Sequence, residues 1–295
     1  MKTNRFMTIL RMTTFAAALV ALSAMGQGVT NTTAPDSMVL IPGGTHKGKG
    51  PDTGAYELKV RAFYMERHEV SKALWDEVYS WARANGYNFD NEGSGKAPDH
   101  PVQSINWYDA VKWCNARSEK EGRPVAYRVG DQPYRSGKDA GLSPNGLKVD
   151  FTVPGYRLPT DVEWEYAARG GERGKRFPWG DTIDHSKANY LGHPAGLSYD
   201  EGYEGYDKLH SKSGEPYTAP VGSYPANGYG IHDIMGNVWE WCWDWSPDAP
   251  NAHRTTRGGA WSYSGDYGRV ASRSNVYPVH TYWSIGLRTV MAKSD

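Results

Sequence analysis

The sequence predicts an α+β fold with its helices in the N-terminal half and an irregular C-terminal half. Three observations carry that prediction. The apolar run Met38-Val-Leu-Ile-Pro-Gly-Gly44 reads as a buried strand closed by a turn. Three segments between residues 71 and 168 have helical periodicity with start signals. After Gly170-Gly171 that periodicity stops, and short strands, turns, Gly, Pro and Trp run to the end.

Taken in order, Leu58 to Glu66 is rich in β-forming residues and leads into Val70. From Ser71 a helix is expected, with Leu74, Trp75, Val78, Trp81 and Ala82 on one face and Gly86 past its end. A second helix follows Asn106. Trp107, Ala110, Val111 and Cys114 share its face, and Gly122 ends it. Residues 130–152 are polar and Gly-rich, with a hairpin turn at Asn145-Gly146. Thr160 and Glu163 have capping-box spacing ahead of Trp164, Ala167 and Ala168. On that third helix Glu163 and Glu165, two residues apart, face different sides. The polar stretch 181–218 shows no element and needs a ligand or ion to organise it.

At 295 residues the chain makes one large domain or two small ones. Lys+Arg and Asp+Glu are both 33, so no charge case exists for nucleic acid or an anionic membrane as the main partner. The 12 Trp and 20 Tyr suit loop packing and also binding surfaces.

Lys2, Arg5 and Arg11 precede a short apolar core, residues 12–22, and Ala24-Met25-Gly26 is a small-x-small cleavage site. Residues 1–26 therefore read as a secretory signal peptide, 27–36 as a linker and 37–293 as the domain. No cysteine stands at the cleavage site, so no lipid anchor is expected after signal cleavage, and the mature chain is expected in the periplasm or secreted. Only Cys114 and Cys242 are present, in a compartment that permits disulfides, and their pairing stays open.

The richest stretch is Asn227-Gly-Tyr-Gly-Ile-His-Asp-Ile-Met-Gly-Asn-Val-Trp-Glu-Trp241. Asp233 and Glu240 bracket a Gly236-Asn237 bend, which turns the carbonyls of Gly236 and Val238 toward one point. Carboxylate and carbonyl oxygens together are what calcium prefers. The same residues also read as a tight turn entering an aromatic strand. Elsewhere, the nine His residues show no zinc spacing, and Ser262 and Ser264 lack the setting of a nucleophile.

Five segments in register resemble the formylglycine-generating-enzyme, or sulfatase-modifying-factor, family: residues 38–44, 100–111, 156–171, 227–245 and 257–288. The resemblance implies a single C-type-lectin-related domain with little regular secondary structure. It also implies structural calcium on Asp233, the Gly236 and Val238 carbonyls and Glu240. A second calcium site would begin at Asn189 and the Tyr190 carbonyl. Its carboxylate position falls near Ser213, leaving Asp200 or Asp207 to supply the charge. Cys114 matches a family disulfide cysteine whose partner position here is Thr289.

Members that make formylglycine bind copper through two cysteines shortly after a Gly-Gly-Ser motif. Here the segment is Gly258-Gly-Ala-Trp-Ser-Tyr263, with Tyr263 at the first cysteine position and the second within 265–268. Thiolates suit cuprous ion and a phenol does not, so copper and cysteine oxidation are not expected. Trp239, Arg273 and Ser284 match positions lining the peptide cleft of active relatives. Around them Tyr263, Tyr267, Tyr277, His280, Tyr282 and Trp283 alternate with small polar residues, the composition of an adaptable binding surface. Tyr263 and Tyr282 are read as surface, Trp261 and Trp241 as packing. The expected function is binding of a peptide, glycan or protein ligand. The alternatives are a periplasmic enzyme of other chemistry, similar to pyoverdine-maturation proteins and using Asp266, Glu240 or His280, or an atypical sulfatase-activating oxidoreductase.

Overall fold

The computed structural model describes residues 33–137 and 146–294. The signal-peptide reading, most of the linker and Asn145 lie outside the described residues. The elements run β1 (Met38–Ile41), β2 (Gly44–Gly50), β3 (Gly54–Val60), β4 (Phe63–Glu66), α1 (Lys72–Ala84) and α2 (Trp107–Lys120). Then come β5 (Tyr127–Val129), β6 (Gln132–Pro133), β7 (Leu147–Val149), α3 (Asp161–Ala168), β8 (Trp239–Trp245) and β9 (Arg254–Arg257). β10 (Ser274–Val276), β11 (Ile285–Gly286) and β12 (Val290–Ala292) finish the chain. Among the described residues no α-helix follows Ala168, so the chain is α+β with an irregular C-terminal half. Among the described residues no helix is long and apolar enough to cross a membrane.

The helix starts follow from their caps. The Ser71 hydroxyl accepts from Leu74 N, and Asn106 Oδ1 accepts from Asp109 N at 2.8 Å. Thr160 and Glu163 make the full capping box, each side chain accepting from the other's backbone N–H. On α1 the buried residues are Trp75, Val78 and Ala82, one face as the spacing predicts.

The second helix departs from its amphipathic reading. Trp107 through Ser118 are all buried, polar side chains included. Each of these polar groups holds something that arrives from elsewhere. Asp109 accepts from the backbone N–H groups of Asp90 and Asn91, and Asn115 bonds the backbone of Tyr127 and Tyr134. Arg117 pairs with Glu66 at 2.6 Å. Such groups can be buried because every one is hydrogen-bonded.

Two cores flank the helices. Trp75 stacks on Trp113 with planes 2° apart in the core of α1 and α2. A second core gathers α3, β1, β4 and Tyr190. The first and last strands both pair with β4, giving the order β1-β4-β12. The aromatic strand β8 lies in the sheet β10-β9-β8-β11, with β11 parallel to it. Cys114 on α2 and Cys242 on β8 are both free and buried, so the open pairing resolves as two thiols.

The 181–218 segment is organised by carboxylates of the chain itself. Asp200 accepts from Tyr190 Oη, His193 N and Gly202 N, and Asp207 accepts from Tyr203 Oη, Leu209 N and Tyr224 Oη. His185 is stacked between Tyr190 and Tyr203, with centroids 4.5 and 3.8 Å away.

Candidate functional site

The 227–241 stretch forms a left-handed turn followed by a strand. Gly236 and Asn237 have φ of 78° and 59°, and β8 begins two residues on. A side chain at 236 would place its Cβ 2.1 Å from the Asn189 carbonyl oxygen, so only glycine fits. That carbonyl accepts from Asn237 N, which binds the 189 segment to the turn.

Around the turn lie three buried carboxylates, one of which, Glu240, pairs with Arg288. Arg288 donates to Glu240 Oε1 through Nε and Nη2 at 2.9 and 2.8 Å, and Trp164 Nε1 donates to Glu240 Oε2 at 2.7 Å. Both oxygens of Asp233 accept backbone N–H groups, from Gly222 and Tyr224. The third carboxylate is Glu69, which accepts from Asn237 Nδ2 and Val238 N. Burial, reinforced by Asp233 and Glu240, pushes the Glu69 carboxyl far above its usual range. Glu69 carried no local sequence signal: it lies 168 residues before Asn237.

Among the described residues no three His, Cys, Asp or Glu side chains are grouped as a metal site, and both oxygens of Asp233 and of Glu240 are engaged within the chain; one feature favours a hard cation. Asn189 Oδ1 is buried with no hydrogen-bond partner among the described residues, an orphaned acceptor of the kind a cation satisfies. Tyr190, beside it, has its hydroxyl on Asp200. Asp200 and Asp207 are engaged in the loop bonds described above.

The aromatic cluster lies at the start of β8. Trp239 is buried, and the rings of Tyr263 and Tyr267 stand on it at 83° and 80°, with centroids 5.5 and 6.1 Å away. Tyr263 and Tyr267 are themselves edge-to-face at 5.2 Å. Tyr263 is 37%, Tyr282 45% and Trp283 51% exposed. Burial and the neighbouring Tyr267 and Tyr282 raise the Tyr263 phenol, so it is neutral at pH 7. Trp283 packs against buried Trp261, and Trp241 is wholly buried. Together these rings make an uncharged, amphipathic surface on a rigid floor.

Two residues of the expected cleft have other work. Ser284 is buried, and its carbonyl accepts from Trp239 N at 2.8 Å. Arg273 pairs with Asp161 and Glu165 of α3 at 2.8 and 3.2 Å, next to fully buried Arg257 on the same two carboxylates.

Among the described residues, short strands around three α-helices, with an aromatic patch beside a carboxylate-rich turn, make a single-domain scaffold. The chain belongs to the sulfatase-modifying factor enzyme 1-like domain family, whose sequence profile matches residues 26–293. It is 32% identical to the chaperone protein LppX of Paenibacillus barcinonensis over 252 residues, 83% of this chain and 85% of that one. It is 31% identical to the formylglycine-generating enzyme of Thermomonospora curvata over 284 residues, 80% of this chain and 87% of the enzyme. Among solved structures, CarF superposes with a TM-score of 0.68 at 25% identity, covering 88% of this chain and 98% of CarF.

Proposed function

We propose that this protein is an exported family member that does not oxidise cysteine to formylglycine. It instead captures a peptide, glycan or protein partner on the surface formed by Tyr263, Tyr267 and Tyr282. One observation carries the reading: where formylglycine-generating members place a copper-binding cysteine, Tyr263 presents a neutral, part-exposed ring over Trp239. A cuprous site needs soft thiolates. The chain has two cysteines, both buried on other elements, and burial raises both thiols far above the range in which a thiolate forms.

Similarity to a protein named as a chaperone supports a binding role on this scaffold. Calcium has a structural part in this reading. Asp233, Glu240 and the carbonyls of Gly236 and Val238 would hold one ion, with Asn189 and the Tyr190 carbonyl offering donors for another. A bound ion would supply positive charge to the turn that these residues form.

The test is a peptide and glycan array probed with the wild type, Tyr263→Ala and Tyr282→Ala. Ligands found with the wild type should lose about tenfold or more in affinity on either variant, as removal of an aromatic anchor does. Ligands that bind both variants like the wild type place the site elsewhere.

A further inference from the structure

A second, chemically different groove lies against β12. It has a volume of about 870 Å³, and its apolar lining includes Ala62, Phe63, Phe151, Val162 and Ala292. Among the described residues five ionisable side chains line it. Four are cations, Lys59, Arg61, Arg157 and Lys293, and Glu163 alone is acidic. Both oxygens of Glu163 are engaged by Arg157 at 2.7 Å, so that pair is internally neutral. Lys59, Arg61 and Lys293 remain as an exposed basic rim.

The backbone beside this rim is an open sheet edge. Val290 exchanges both of its backbone hydrogen bonds with Arg157, so its N–H and C=O face away from β4. Alternation along an antiparallel strand then turns the N–H and C=O of Ala292, two residues on, to the same outer side. No partner for them is present among the described residues. Unpaired edge groups in a groove are a template for an added strand.

We infer that this groove is a binding site for an extended acidic peptide segment, distinct from the aromatic surface. The segment adds to the β12 edge through Ala292, rests apolar side chains on the exposed Phe151 and Val162, and presents carboxylates to Lys59, Arg61 and Lys293. The net positive lining selects the charge of the occupant, and the edge selects its extended backbone.

The experiment is fluorescence anisotropy of the full chain with a labelled peptide of alternating glutamate and valine, at low and high salt. The expected result is saturable binding that weakens with salt and falls about tenfold or more in Lys59→Glu/Arg61→Glu/Lys293→Glu. A peptide of alternating lysine and valine should not bind. The same acidic peptide with N-methylated amides should bind more weakly, because it cannot complete the edge pairing. All three substitutions are at exposed positions, and an unchanged thermal melt verifies folding. Equal binding of the acidic and basic peptides, or an unaffected triple variant, overturns the proposal. So does binding of a sulfated polysaccharide when the acidic peptide does not bind.

Discussion

Tyr263 stands edge-on to Trp239, with ring centroids 5.5 Å apart and planes 83° apart. One ring is buried and the other 37% exposed, so the pair joins the core to the surface. The two halves have different jobs. The buried half fixes the position of the exposed half, which on the proposed reading would meet a ligand.

That division predicts how the two residues separate on mutation. Tyr263→Ala should cost little stability, because a third of its surface already meets solvent. Trp239→Ala should destabilise by about 3–5 kcal/mol, as loss of a buried aromatic does. Urea denaturation of both variants, run beside the array, decides it. Equal loss of stability would mean that Tyr263 is a packing residue.

The buried acidic turn predicts a calcium response. Calcium should raise the unfolding temperature and excess chelator should lower it, since a ligand bound only by the native state stabilises it. Glu240→Gln should abolish the calcium gain. It also weakens the pairing to Arg288, so the comparison is of the calcium increment within each protein. A wild-type melt that is identical in calcium and in chelator contradicts the assignment.

The Arg257 network predicts acid sensitivity. Arg257 is fully buried on Asp161 at 2.5 Å and Glu165 at 2.8 Å. Burial opposes ionisation of both carboxyls, but Arg257, with Arg273 on Asp161 and Arg169 on Glu165, outweighs it and holds them below their usual range. A depressed carboxyl contributes stability above its unfolded pKa and loses it as pH falls through the folded value. Stability should therefore drop on acidification below the ordinary carboxylate range. Arg257→Ala should cost about 3–5 kcal/mol at neutral pH and flatten that acid limb in part, because the one charge shared by both groups is gone while Arg273 and Arg169 remain. A pH series of denaturation midpoints measures both effects.

The helices were legible because their signals are local. Ser71, Asn106 and the Thr160–Glu163 pair cap them within one turn. What stayed hidden depends on partners far away in the chain. Nothing near Glu69 announces that it will cap Asn237 and Val238, and nothing near Asp200 shows that it will organise the 190–202 loop. The pairing of Arg273 with α3 carboxylates more than a hundred residues earlier likewise has no local signal. Exposure of Tyr263 and Tyr282 and burial of Trp241 and Trp261 follow the sequence reading, whereas burial of Trp239 depends on tertiary packing that alternation of rings and small polar residues does not encode.

The central claim is that the family scaffold here binds without oxidising cysteine. Its most direct test is to incubate the protein with copper, reductant, oxygen and a peptide containing Cys-x-Pro-x-Arg, and to read the mass of the cysteine. An active formylglycine-generating relative runs alongside. The account predicts an unchanged cysteine with this protein and conversion by the relative. Conversion by this protein would contradict it, and would make Tyr263 part of an oxidase that needs no cysteine pair.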